Sequence, residues 1–119
     1  MKLPAGLDGV DEPYLPDLGR LYWVTPPLLD ADDGKSTRPV VVVVVPDDVY
    51  GEITFVIRSS TEENGQEHAA QRAHGLSKKG WFSRIRTRSA QLWTPETAKS
   101  LEYVLDDETL SYVMRGAGV

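Results

Sequence analysis

The 119-residue sequence predicts a mainly β domain, α+β in class, with a helix near its C-terminus. Three observations lead there. Six consecutive valines, Val40 to Val45, lie between Pro39 and Pro46, and a β-branched run of that length favours extended chain buried on both sides. Other short segments rich in strand formers are separated by Pro, Gly and Asp clusters, which is the punctuation of a small sheet. A capped amphipathic pattern, Asp106 or Asp107 followed by Leu110, Val113 and Met114 with Gly116 as its stop, reads as the terminal helix.

Taken in order, residues 1–18 hold Gly6, Gly9, Pro4, Pro13 and Pro16 among Asp8, Asp11, Glu12 and Asp17 without a sustained period, and read as an irregular arm. The domain proper is 19–119. Leu21 to Thr25 is rich in strand formers and stops at Pro26-Pro27, so it reads as a first strand. The acidic loop that follows contains Asp30, Asp32, Asp33 and Gly34. A calcium loop would need a late acidic ligand where Val41 stands, so the segment reads as a solvated turn. The valine strand comes next, entered through Arg38-Pro39. Pro39 pushes its predecessor towards extended geometry, which holds the Arg38 guanidinium at the rim of a stiff core element.

Pro46, Asp47, Asp48 and Gly51 supply a turn, and Ile53 to Ile57 form the next strand. A short polar link between two strands implies an antiparallel pair. Arg38 and the segment Arg58-Ser59-Ser60-Thr61 should then share one edge of the sheet. Residues 62–80 are polar, with His68, His74 and the pair Lys78-Lys79. Two histidines and no cysteine make a poor ligand set, and they read as surface residues with no metal. Trp81 to Ser89 alternates, placing Phe82, Arg84, Arg86 and Arg88 on one face and Trp81, Ser83, Ile85, Thr87 and Ser89 on the other. Such a face suits a phosphate backbone with a base stacked on the ring, and equally describes a solvated outer surface. Thr94-Pro95-Glu96 is a helix-start signal leading to a short helix, and Leu101 to Leu105 to a further strand.

Composition narrows the function classes. The chain has no cysteine, which removes disulfides and thiolate chemistry. Its longest apolar run is six residues, far below the roughly 20 needed to span a bilayer, and it reads as soluble, cytoplasmic and without a membrane partner. The net charge of −5 argues against nucleic acid. However, residues 58–94 carry seven basic and three acidic side chains, whereas 1–57 carry four and ten and 95–119 two and five. A basic middle can present a positive face on an acidic protein.

Gly19-Arg20-Leu21-Tyr22-Trp23, then Arg38-Pro39-Val40-Val41-Val42, a strand ending at Ser59-Ser60, Ile85-Arg86-Thr87, and Leu105-Asp106-Asp107-Glu108-Thr109-Leu110 stand in an order that resembles the MazF/PemK toxins over residues 19–114. The resemblance implies a small SH3-like β-barrel with short helices, including a C-terminal one, usually as a homodimer. It implies a toxin-antitoxin endoribonuclease that cleaves single-stranded RNA without metal or cofactor and is regulated by a cognate antitoxin. Carried over by position, Arg38 would be the catalytic arginine and Ser59 the catalytic hydroxyl, with Ser60 or Thr61 the equivalents if the strand end shifts. RNA binding would fall to Arg58, Ser60, Lys78, Lys79, Phe82, Arg84, Arg86 and Arg88. Ser59 stands where the family has threonine, and the acidic loop lies near the expected RNA entry. The competing reading is a non-catalytic SH3-like binding module, or a toxin acting on a protein target such as a DNA gyrase.

Overall fold

The computed structural model describes residues 12–25, 28, 37–59, 80–91 and 93–119. Five strands and one helix are present: β1 (Arg20–Val24), β2 (Arg38–Val44), β3 (Ile53–Ser59), β4 (Trp81–Ala90), β5 (Ala98–Val104) and α1 (Asp107–Ala117). They form one sheet of order β4-β3-β2-β1-β5, with every neighbouring pair antiparallel. The valine run lies at its centre. Alternate valines feed two cores, as period two requires. Val41 and Val43 pack with Leu21, Val56, Phe82, Leu101, Leu105 and Val113. Val40 and Val42 pack with Tyr22, Val24, Ile53, Phe55, Ile57 and Trp93. Each fully buried valine contributes about 1.5 to 3 kcal/mol relative to exposure.

The first core is closed by α1. Asp106 caps it, its Oδ1 accepting from the Thr109 N–H at 2.7 Å. Asp107 and Glu108 in the first turn and Arg115 in the last complement the helix dipole. The helix runs through Gly116 to Ala117, past the stop predicted from the sequence. Gly118 ends it, because at φ 86° it takes the left-handed conformation and donates back to the Arg115 and Met114 carbonyls. Over the second core the Tyr14 N–H donates to the Trp93 carbonyl at 2.9 Å, and the Tyr14 hydroxyl to the Ala98 carbonyl at 2.6 Å. Burial pushes that hydroxyl up to about 12. Residues 12–18 form neither strand nor helix.

Among the described residues the sheet is open, with β4 and β5 as its two edges. Two expectations are corrected. The short helix expected after Thr94-Pro95-Glu96 is a single turn, because the Thr97 and Ala98 N–H groups both return to the Thr94 carbonyl and β5 starts at once. The uniform alternation expected for β4 is broken. Val56 pairs with Thr87 and Arg58 with Phe82, so two residues along β3 match five along β4. A bulge of this kind changes which side chains share a face.

Within the described residues no helix is long and apolar enough to cross a membrane, which says nothing of membrane-spanning strands.

Candidate functional site

The site is built at the end of the sheet where β2 starts and β3 stops. Val40 pairs with Ile57, and continuing that register by two residues sets Arg38 across from Ser59. On the other side Arg38 pairs with Val24 of β1, and Ser59 pairs with Trp81 of β4. Trp81, Ser59, Arg38 and Val24 thus form one cross-strand row on the second-core face. Arg38 is half-buried and its Nη2 donates to the Arg58 carbonyl at 3.3 Å. A backbone anchor of this kind limits where the guanidinium can swing. Ser59 is 4% exposed.

Arg58 faces the other way. It shares the first-core face with Val56 and Phe82 and is 6% exposed. A side chain at Gly80 would collide with its guanidinium, so the glycine is what admits the arginine there. Burial pulls the guanidinium down from its ordinary value. Arg58 and Arg38, both expected to serve RNA, thus lie on opposite faces, because the strand pleat points successive side chains to opposite faces. Phe82 shares the Arg58 face. At 1% exposure its ring is a core group against Val56 and Leu21 and offers no face to a base.

The remaining expected cations are divided. Arg88 pairs across from Phe55, on the Arg38 face and not on that of Phe82. Ser59 lies four steps along the strand from Phe55, about 13 Å at the usual 3.3 Å rise. Arg88 is half-buried, and its Nη1 donates to the Thr87 carbonyl at 3.0 Å. Arg86 is half-buried in the same strand. Ser60, Thr61, Lys78, Lys79 and the Arg84 side chain lie outside the described residues, as do His68 and His74. Among the described residues no group of three or more His, Asp and Glu is placed to hold a metal ion.

Sequence reasoning missed a cavity of about 460 Å³ at the same end of the sheet, lined by Trp23, Thr25, Thr37, Glu96, Thr97 and Lys99. Trp23 pairs with Pro39 on one side and Lys99 on the other, so the cavity occupies the first-core face just beyond the strand that carries Arg38. The helix-start reading of Thr94-Pro95-Glu96 was the local signal. Its single turn sets Glu96 and Thr97 at the cavity wall, where a helix would have carried the chain away.

No family model and no curated protein matches the sequence. The fold does find likenesses among solved structures. It is similar to MazF from Deinococcus radiodurans, with a TM-score of 0.65 and 22% identity over 88% of this chain and 94% of that one. Two crystal forms of MazE-MazF from the same organism match at TM-scores of 0.60 and 0.61 and 20% identity, again over 88% of this chain and 94% and 93% of theirs. At these identities the likeness is one of fold: the chain has a MazF-like fold.

Proposed function

We propose that this chain is a toxin of the MazF type, an endoribonuclease that cuts single-stranded RNA and is held in check by an antitoxin. The observation that carries the reading is the placement of Arg38 on a MazF-like fold. It stands at the start of β2, across from Ser59 and tied to the Arg58 carbonyl. In the reaction a ribose 2′-hydroxyl attacks the adjacent phosphorus, forming a P–O2′ bond and breaking P–O5′. The 2′ proton ends on the departing 5′ oxygen and a 2′,3′-cyclic phosphate remains, so no redox partner or second substrate enters the balance. Negative charge gathers on the non-bridging oxygens, and a guanidinium held in advance stabilises that charge more than the ground state. Ser59, across from Arg38, is the hydroxyl proposed to assist, and being 4% exposed it would have to be uncovered as RNA binds. The need for a 2′-hydroxyl restricts the substrate to RNA.

Incubation with mixed-sequence single-stranded RNA in chelator, followed by mapping of cut sites and end groups, tests this. Cyclic phosphate or 3′-phosphate ends with DNA left uncut are expected, and intact RNA at high protein concentration overturns the proposal. The antitoxin partner is supported by the likeness to MazE-MazF structures. A homodimer, which sedimentation would test, belongs to the same proposal.

A second reading has its own observation. With Arg58 and Phe82 buried, fewer groups are left for RNA on an acidic protein, which favours a binding module with a protein target. A negative cleavage assay together with capture of a defined protein would select it.

A further inference from the structure

We propose that the cavity beside Trp23 is a nucleobase subsite, taking one base of a single-stranded RNA whose neighbouring phosphate rests on Arg38. The choice of occupant rests on the ribonuclease reading above. The walls supply the chemistry. At about 460 Å³ the cavity falls within the range of small-molecule sites. Partly buried Trp23 provides an aromatic platform of the kind bases stack upon. Exposed Glu96 and Lys99 both line it, and among the described residues neither forms an ion pair.

Charge decides between a base and a phosphate. A lysine alone would suit an anion, but Glu96 on the same wall cancels its charge and repels phosphate at close range. A neutral, flat group with donors and acceptors on its edge satisfies both. The carboxylate only accepts and the ammonium only donates, while the hydroxyls of Thr25, Thr37 and Thr97 do either. Carboxylates read exocyclic amino groups, so Glu96 favours cytosine, adenine or guanine over uracil.

Position ties the cavity to the reaction. Thr37 precedes Arg38, and Trp23 pairs with the Pro39 that follows it. Arg38 itself lies on the opposite face of the sheet. An RNA strand serving both would therefore have its phosphate on one face and its base on the other.

Titration of the full chain with cytidine, adenosine and uridine monophosphates and with ribose 5-phosphate, followed by heteronuclear NMR, tests the assignment. The Trp23 indole N–H and the Thr25, Thr37 and Thr97 amides should shift with the nucleotides, more tightly for cytidine and adenosine than for uridine, and stay in place with ribose 5-phosphate. Lys99→Ala, which removes a charged hydrogen-bond donor, should weaken binding by about fivefold or more. Glu96→Gln should remove the preference over uridine with the rest of the spectrum unchanged. Signals that do not move, or that move equally with ribose 5-phosphate, overturn the subsite. The two proposals fail separately. If the parent cuts RNA and neither Lys99→Ala nor Glu96→Gln alters its cut-site preference, the subsite is wrong and the nuclease stands. If nucleotides fill the cavity and no RNA is cut, the subsite stands and the nuclease is wrong.

Discussion

Arg38 and Arg58 stand at the same end of neighbouring strands, and they do opposite things. Arg38 is half-buried at the start of β2 and spends one donor on the Arg58 carbonyl. Arg58 is 6% exposed, faces the first core and is accommodated by the missing side chain at Gly80. The two side chains take opposite faces because they fall on opposite phases of the pleat. Which face of the sheet an arginine at a strand end occupies is thus set by parity, and its charge alone does not say which.

Five substitutions sharpen or break that contrast. The largest effect on stability is expected at Phe82, the core neighbour of Arg58. Phe82→Ala should cost about 3 to 5 kcal/mol in denaturant unfolding, and near-wild-type stability with weakened RNA binding would return the ring to the surface. Arg38→Ala should leave the unfolding midpoint nearly unchanged while lowering RNA cleavage by about 10² to 10³, the effect of removing one preorganised donor. Cleavage at the parent rate would remove Arg38 from the mechanism.

Gly80→Ala should destabilise by about 1 to 3 kcal/mol through overpacking against the guanidinium. Most of that loss should vanish when Arg58→Ala is added, so a double-mutant cycle that gave additive effects would break the assigned contact. The smallest effect is expected at Tyr14, which touches neither the Arg38 anchor nor the Arg58–Gly80 contact. Tyr14→Phe removes the hydrogen bond to the Ala98 carbonyl, worth about 0.5 to 1.5 kcal/mol. It should also reduce an alkaline slope. Burial raises the folded Tyr14 hydroxyl to about 12 from an ordinary 10.0. Its contribution is therefore complete below pH 10 and is lost as the pH climbs towards 12, because the unfolded chain ionises first. Stability measured from pH 9 to 12 checks the sign. Tyr22, raised by the same cause, should leave part of the slope in the variant.

Much of the fold was legible because it is written locally. Valines at consecutive positions need cover on both faces, and β2 receives it from two cores. The Asp106 cap and the apolar positions Leu110, Val113 and Met114 specify α1 within a dozen residues, and only its last turn was misjudged, since Gly116 is helical and Gly118 is the cap. The antiparallel pairing of β2 with β3 follows from their short link. The candidate site was less legible. Alternation along β4 put Phe82 with the arginines, and the bulge between the Phe82 and Thr87 pairings cancelled the phase. Lys99 and Trp23 share a cavity through strand pairing that no local pattern announces.

The sequence by itself determined the strands, the capped helix, the central place of the valines and the presence of Arg38 at a strand entry, because propensity, capping and proline geometry act over a few residues. Only the tertiary structure decided which side of the sheet Arg38, Arg58 and Arg88 occupy, that Arg58 and Phe82 belong to the core, and that Trp23, Glu96 and Lys99 line one cavity. Register and bulges set those outcomes, and they depend on contacts between residues far apart in the chain, where a shift of one position reverses a face.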